Sequence, residues 1–170
     1  MFNLLNNKLW IYFVKNPLKK IHVRELSRQL NISPATTLKY ADDLLKKGLI
    51  KKEIIGKNYV LSLNFDNKFL FVYKKFTNLF LLYESNLIED MIKKDIKTII
   101  LFGSYSLGQD TEKSDIDIAV DKKIDINLEK YENFFNKKIE LHYLEDIKKS
   151  KNKNLLDNIK QGILIEGFFP

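Results

Sequence analysis

Apolar residues at helical spacing open the chain and predict a series of helices. The first covers residues 2–14, and Pro17 ends it because proline cannot continue a helix. The second covers residues 21–30 and is short and amphipathic, with Leu26 on its apolar face. Both segments are therefore expected to pack their apolar faces into one small core.

The turn after the second helix carries signals for a third. Ser33 can cap this helix, since its hydroxyl can accept an otherwise unpaired backbone N–H, and Pro34 suits the first helical position. The helix extends to about Lys47, where Gly48 is placed to end it. Strand-like residues over 49–63, interrupted in the middle by Gly-Lys-Asn, then predict a β-hairpin with a basic tip.

Residues 67–96 are rich in aromatic side chains at helical spacing. Aromatic residues in this pattern belong more often to a core than to a cofactor site. The segment is therefore interpreted as a linker helix that packs both flanking domains, or as a dimer interface. Ser85 is placed to cap a second helix over 86–94, and a helix over 152–161 with a strand over 163–166 closes the chain.

Paired carboxylates follow the first strong strand pattern of the second half. Residues 98–102 form a continuous apolar run that stops at Gly103. The next predicted strand, 114–120, carries Asp115 and Asp117 on one face, because alternate residues of a strand share a face. Two adjacent carboxylates repel each other, which favours a cation between them, although an Asp-x-Asp pair is also frequent at a surface strand end.

The two histidines, His22 and His142, lie in different sequence settings. Alternation over residues 138–143 puts Glu140 and His142 on one face of a strand. A contact of His142 with substrate or with a neighbouring carboxylate is therefore open, although a lone histidine is more often a hydrogen-bonded structural residue. His22 begins a helix in a basic region and is given no role.

Composition and charge separate the two halves of the chain. The 170 residues carry a net charge of +7 and 45% are hydrophobic, which excludes a disordered chain. Residues 1–65 hold twelve basic residues against four acidic ones, whereas the remainder is nearly neutral. Such an excess suits binding to a phosphate backbone, and a Lys-rich solvated surface is the alternative. The absence of cysteine excludes disulfides and thiolate zinc sites, so any metal must use oxygen or histidine ligands.

The order helix, short helix, turn, helix and hairpin over residues 1–65 resembles a winged helix-turn-helix domain, most specifically over residues 33–50. In that family the second helix of the motif enters the major groove and the wing meets the backbone or the minor groove. The resemblance implies double-stranded DNA as a partner. A protein-docking module with solvated lysines is the alternative. The candidate DNA-contacting residues face outward at helical spacing or lie at the wing tip: Thr36, Lys39, Tyr40 and Lys57.

A second resemblance lies further along the chain. The run Gly103-Ser104-Tyr105-Ser106-Leu107-Gly108, followed after five residues by Ser114-Asp115-Ile116-Asp117, resembles the signature of the DNA polymerase beta nucleotidyltransferase superfamily. The likeness is closest to the minimal nucleotidyltransferases and covers about residues 87–167. It implies a catalytic metal site of two aspartates and a carboxylate from a later strand: Asp115, Asp117 and Glu140. It also implies nucleotide contacts from the first motif and from the start of the second: Gly103, Ser104 and Ser114.

The resemblance also implies a reaction. A nucleoside monophosphate would pass from a nucleoside triphosphate, expected to be ATP, to an acceptor hydroxyl, with one or two Mg²⁺ ions held by the carboxylates. Some minimal nucleotidyltransferases are antitoxins that add nucleotides to a HEPN-type ribonuclease. An acceptor of this kind would be a separate protein here, and a DNA-binding domain would suit autoregulation of the pair.

Two positions depart from the family pattern. Leu107 stands where an Arg is usual, and Glu140 stands where the small members mostly have Asp. These departures favour an alternative, a transcription regulator whose nucleotidyltransferase-like domain binds nucleotide without catalysis, whereas the intact carboxylates favour an enzyme. An antibiotic-modifying transferase is disfavoured because no separate acceptor-binding domain is evident.

The predicted fold class is α+β. A winged helix-turn-helix domain is expected over residues 1–65, a linker helix over 66–86 and a nucleotidyltransferase domain over 87–170, with a mixed β-sheet flanked by helices. A homodimer is one expected state, since winged helices often pair to read two half-sites. No apolar run approaches the roughly 20 residues of a membrane helix and no signal peptide is evident, so a cytoplasmic location without membrane contact is expected.

Overall fold

The helices and strands fall into two units. In the computed structural model, which describes residues 2–56, 58–146 and 153–169, these units are Met1–Tyr73 and Lys74–Pro170. The division falls within one continuous helix, Leu70–Glu84, which lies in the segment predicted to link two domains. No helix among the described residues is long and apolar enough to cross a membrane.

The first unit combines helices with a small antiparallel sheet. The elements, in chain order, are α1 (Phe2–Leu5), α2 (Lys8–Lys15), β1 (Ile21–His22), α3 (Val23–Gln29), α4 (Pro34–Lys46), β2 (Ile50–Ile55) and β3 (Asn58–Leu63). Its sheet has the strand order β1-β3-β2, and β2 and β3 form the predicted hairpin. The core of the unit gathers side chains from every helix and strand, including the fully buried Trp10, Phe13, Leu26, Leu44 and Leu61.

Two predictions for this unit were wrong. The helix expected over residues 2–14 is broken, because the Asn7 side chain accepts hydrogen bonds from the backbone N–H groups of Leu9 and Trp10 at 3.0 and 3.2 Å and so starts a new helix. The segment expected to begin a helix at Ile21 instead forms β1, which pairs with β3. That pairing joins residues about forty positions apart, which helical spacing cannot reveal.

The helix predicted to follow Ser33, α4, has the expected ends. The Ser33 hydroxyl accepts the backbone N–H of Thr36 at 3.0 Å and Pro34 occupies the first turn. Gly48 follows the helix with φ of +65°, a conformation that glycine adopts without steric cost. A buried hydrogen bond of 2.8 Å between the Ser27 and Thr37 hydroxyls joins α3 to α4.

The second unit is built on a four-stranded mixed sheet, as predicted. The elements are α5 (Leu70–Glu84), α6 (Leu87–Lys93), β4 (Ile99–Phe102), α7 (Gly103–Leu107), β5 (Ile116–Val120), α8 (Glu129–Phe135), β6 (Ile139–Tyr143), α9 (Lys153–Lys160) and β7 (Ile163–Glu166). The strand order is β6-β5-β4-β7; β4 runs antiparallel to both neighbours and β5 runs parallel to β6. All four residues of β4 are buried, which explains its unbroken apolar sequence.

The connection between the parallel strands contains a helix that sequence analysis missed. Parallel neighbours require a crossover, and α8 lies within the one that joins β5 to β6. This helix has only seven residues, and Tyr131 and Phe135 are the two that its packing buries. A pair of apolar residues is too weak a periodic signal to identify a helix.

Candidate active site and nucleic-acid interface

The end of β4 determines where the candidate site begins. Phe102 pairs with Asp117 across the antiparallel strands, so the turn at Gly103 lies beside the Asp117 side chain. Gly103 has φ of +70°, and a β-carbon added there would overlap the Asp117 carboxylate. Glycine is therefore required at this position for two reasons: its positive φ, and the close approach of the Asp117 carboxylate.

The parallel pairing of β5 and β6 brings the third predicted carboxylate to the same place. Asp117 and Glu140 are direct partners in the register, and His142 follows Glu140 on the same face of β6. The His142 Nε2 atom lies 3.3 Å from Asp117 Oδ1 and 3.9 Å from Glu140 Oε1. Ligand atoms of the three residues all lie within 4.8 Å of one another.

The three side chains differ in how firmly they are held. The side chains of His142 and Asp117 are only 16% and 25% exposed, whereas that of Glu140 is 61% exposed. The His142 ring also packs at a steep angle against Phe102, with ring centroids 5.0 Å apart. The imidazole and one carboxylate are thus fixed by packing, and the other carboxylate faces solvent.

Two carboxylate oxygens and one imidazole nitrogen make a set of donors that fits a divalent cation. Carboxylates neutralise its charge, and imidazole is a frequent additional ligand for first-row transition ions. Among the described residues this is the one group of three or more potential ligands so close together. Asp117, Glu140 and His142 are accordingly the residues that could hold a metal.

The remaining predicted site residues lie around this group. β5 begins at Ile116, so Asp115 precedes the strand and is exposed, and within the described residues it is outside the group of three. Asp115 and Ser114 instead line an open polar cavity of about 480 Å³ beside α8. The Ser114 hydroxyl accepts the Thr111 backbone N–H at 2.9 Å, and Ser104 is the half-buried second residue of α7.

Comparison with known families agrees with this geometry. Residues 85–167 match the family model described as polymerase beta nucleotidyltransferase, and residues 19–51 match that of winged helix-turn-helix DNA-binding proteins. The chain joins a winged helix-turn-helix domain to a polymerase beta nucleotidyltransferase domain. No curated protein and no solved structure matches the chain significantly.

A buried ionic cluster lies in the nucleotidyltransferase domain and contacts its signature loop, which joins the Gly103-Ser104 motif to the Asp115-Ile116-Asp117 motif. The Asp110 carboxylate lies 3.3 Å from Lys74 Nζ and 3.2 Å from Lys137 Nζ, and all three side chains are at most 2% exposed. The Lys74 ammonium also donates to the Asp110 carbonyl at 2.7 Å, and that of Lys137 donates to the Thr111 carbonyl. Both lysines therefore hold the loop that joins the Gly-Ser motif to the Asp-x-Asp motif.

The same cluster includes neutral groups and shifts the pKa of two of its members. Asn78 donates from its side chain to the Asp110 carboxylate and to the Tyr105 carbonyl, each at 2.9 Å. Burial lowers the pKa of the Lys74 ammonium, which the Asp110 charge partly opposes. Burial, together with the Asp110 charge, raises the pKa of the Tyr105 hydroxyl well above its ordinary value.

Sequence analysis missed this cluster, although one signal was available. Lys74 and Asn78 occupy the face of α5 that also carries the buried Leu70, Leu81 and Leu82. A charged residue on an otherwise apolar helical face indicates either a buried partner or an interruption of that face. The partner, Asp110, lies 36 residues from Lys74, and only the tertiary structure brings it there.

The predicted DNA-contacting residues of the winged helix-turn-helix domain are unequally available. Lys39 is exposed on α4. Thr36 and Tyr40 are half-buried, since the Thr36 hydroxyl lies 2.8 Å from that of Ser33 and the Tyr40 ring packs partly against the core. Lys57 lies outside the described residues. Of the three described candidates, Lys39 is thus the one whose side chain is open to a phosphate backbone.

Proposed function

We propose that this protein is a nucleotidyltransferase that acts while its winged helix-turn-helix domain holds it on double-stranded DNA. It transfers a nucleoside monophosphate from a nucleoside triphosphate to an acceptor hydroxyl. The observation that carries the proposal is the convergence of Asp117 and Glu140 beside Gly103, inside the region matched by the nucleotidyltransferase family. A loop opening with glycine next to paired carboxylates is suited to a triphosphate and a divalent cation.

Each predicted site residue has a role in this proposal. The carboxylates of Asp117 and Glu140 bind a divalent cation, and Asp115 acts from the adjoining cavity as a further carboxylate. Mg²⁺ bound at this site would lower the pKa of the attacking hydroxyl and offset the charge of the triphosphate. Gly103 lets the phosphates approach the backbone, and the hydroxyls of Ser104 and Ser114 donate hydrogen bonds to them.

The reaction needs no covalent intermediate on the protein. The acceptor oxygen attacks the α-phosphorus, its proton leaves to solvent, and the bond from the α-phosphorus to the bridging oxygen breaks. Pyrophosphate is the leaving group. We propose ATP as the nucleotide and a protein or small-molecule hydroxyl as the acceptor. In an antitoxin-like function, the protein acceptor is a separate HEPN-type toxin.

Label transfer tests the enzymatic proposal. The protein is incubated with each α-labelled nucleoside triphosphate and Mg²⁺ in cell extract, and the labelled products are separated. Transfer is expected with the unaltered protein and with Asp125→Asn, an exposed aspartate of the same domain that serves as the matched control. Asp117→Asn is expected to reduce transfer at least 100-fold, because it removes a cation-binding oxygen. Equal transfer by Asp117→Asn and the unaltered protein would contradict the proposal.

A nucleotide-sensing transcription regulator is the second candidate. The separation of Asp115 from the group of three favours it, since two-metal transfer chemistry requires carboxylates arranged around both ions. Leu107, 47% exposed where the family usually has Arg, favours it as well. Nucleotide binding that depends on Asp117, without label transfer to any acceptor, would support this alternative.

DNA binding is tested separately. Anisotropy of a labelled duplex is expected to report salt-dependent binding, since a basic domain releases counterions from the phosphates. Lys39→Ala is expected to weaken binding on every sequence and to lower the salt slope by about one, whereas Lys8→Ala, on α2, serves as a control for net charge. Salt-independent binding would contradict the proposal. Light scattering with and without the duplex tests the predicted homodimer.

A further inference from the structure

We propose that His142 is a direct ligand of the metal, so that this site prefers Mn²⁺ and similar imidazole-binding ions over Mg²⁺. This inference rests on the proposed function, because it concerns the cation of the same site. It adds a nitrogen donor to the carboxylates that the sequence signature supplies. The consequence is a different metal preference from that of a site built from carboxylates alone.

The distances agree with binding to one ion. Donor atoms about 2.1 Å from a common ion lie roughly 3.0 Å apart at adjacent octahedral positions and roughly 4.2 Å apart at opposite ones. The His142 Nε2 atom is 3.3 Å from Asp117 Oδ1 and 3.9 Å from Glu140 Oε1, between these two limits. Small side-chain rotations would therefore bring all three donors onto one ion.

The imidazole already points its donor atom in the required direction. Nε2 lies within 4.0 Å of both carboxylates, and the ring packs against Phe102 in this orientation. The side chain is only 16% exposed, so little conformational freedom remains to be lost on binding. Glu140, which is 61% exposed, is the ligand that can adjust its position.

A purely supporting role for His142 is the competing interpretation. In that arrangement an imidazole N–H would donate to Asp117 and hold it in place without touching the ion. Charge-assisted hydrogen bonds of this kind are usually about 2.7–2.9 Å long. The 3.3 Å contact between His142 Nε2 and Asp117 Oδ1 is a long hydrogen bond of this kind, and the nitrogen signal described below distinguishes the two interpretations.

The donor chemistry then determines the preferred metal. Mg²⁺ retains several water ligands and favours oxygen donors, whereas imidazole suits transition ions. The site is therefore expected to bind Mn²⁺ at least tenfold more tightly than Mg²⁺. Loss of the imidazole should remove that preference and leave the weaker, carboxylate-based affinity for Mg²⁺ within threefold of its original value.

Pulsed electron paramagnetic resonance of bound Mn²⁺ tests the inference on the full-length protein. A nitrogen directly bound to Mn²⁺ modulates the spin echo, and the chain has two histidines, His22 and His142. The nitrogen signal is expected in the unaltered protein and in His22→Gln, the matched control. It should be absent in His142→Gln, whose Mn²⁺ affinity should fall at least tenfold. His142→Asp should keep Mn²⁺ bound through oxygen and lack the nitrogen signal.

The outcomes separate this inference from the proposed function. Mn²⁺ bound in an Asp117-dependent manner without a nitrogen signal would overturn the role of His142 and leave the transferase proposal intact. A nitrogen signal that persists in His142→Gln would also overturn it. A nitrogen signal that depends on His142, without label transfer under Mg²⁺ or Mn²⁺, would support the metal site and count against the transferase. Absence of the nitrogen signal from the spectrum of the unaltered protein overturns the inference even if a variant folds poorly.

Discussion

Replacement of Asp110 by Asn would test the buried ionic cluster most directly. The change keeps the shape of the side chain but leaves the ammonium groups of Lys74 and Lys137 without the carboxylate that lies 3.3 and 3.2 Å away. All three side chains are at most 2% exposed, so solvent cannot take over the lost role. Removing one partner of a buried ion pair typically costs about 3–5 kcal/mol of unfolding free energy.

A second estimate comes from the protonation of the lysines. A buried ammonium can escape its penalty by losing its proton, which for an ordinary lysine pKa of 10.5 costs about 4 kcal/mol per lysine at pH 7.5. This sets an upper limit on the cost for each lysine. The expected loss for Asp110→Asn at that pH is about 3–5 kcal/mol, which lies below the limit of roughly 8 kcal/mol that the two lysines set together.

The loss should shrink as the pH rises. Burial lowers the pKa of the Lys74 ammonium in the folded state below its unfolded value, so the unfolded state binds more protons between the two values. Stability of the variant therefore increases with pH in that window, by up to about 1.4 kcal/mol per pH unit from the Lys74 ammonium. Adding Lys74→Met to Asp110→Asn should recover part of the loss at neutral pH, because one uncompensated charge is removed.

Urea unfolding with pulsed hydrogen exchange would measure the effect where it arises. Peptides over β4 and β5 report the nucleotidyltransferase domain, and fluorescence of Trp10, the single tryptophan, reports the first unit. Asp95→Asn removes the same charge from an exposed pair with Lys122 and should leave the midpoint unchanged. A loss below about 1 kcal/mol for Asp110→Asn, or a loss that does not vary with pH, would refute the reasoning.

Two further substitutions probe the glycine turn and a buried hydrogen bond. Gly103→Ala should weaken Mn²⁺ binding at least tenfold in a calorimetric titration, because the added β-carbon overlaps the Asp117 carboxylate. Gly56→Ala has similar backbone strain, with φ of +62° and open space around it, and should leave that affinity unchanged. Thr37→Val should lower the unfolding free energy by about 1–2 kcal/mol in Trp10-monitored denaturation, since it leaves the buried Ser27 hydroxyl without its 2.8 Å partner. An unchanged free energy would show that the hydrogen bond which the Ser27 hydroxyl donates to the Val23 carbonyl at 2.7 Å is sufficient.

Much of the fold could be predicted because its signals are local. The Ser33 cap, the first-turn Pro34 and the buried run of β4 each act through residues a few positions apart. The same holds for the closing strand Ile163–Glu166, which matches its predicted limits. The break at Asn7 was also signalled locally, by a good capping residue inside an apolar segment, and was overlooked.

The residues of the candidate site were likewise predicted only in part from the sequence. The sequence indicated Gly103, Asp117 and Glu140 through its resemblance to the nucleotidyltransferase signature, with which the alternation of residues along the strands agrees. It could not determine that His142 lies 3.3 Å from Asp117, since this depends on the register of two parallel strands joined by a long crossover.

The tertiary structure also decided which charges are buried. Lys74, Asp110 and Lys137 are ordinary charged residues in the sequence, distant from one another and without a shared pattern. They meet because the part of α5 from Lys74 onward, the signature loop and the segment after α8 pack together, and there the single Asp110 carboxylate lies within 3.3 Å of both ammonium groups. Local spacing determined most elements of this protein, with β1 and α8 as exceptions, and the identity of its reactive groups. Packing determined which of those groups touch. Contact between distant residues depends on strand register and burial, and local periodicity carries no information about either.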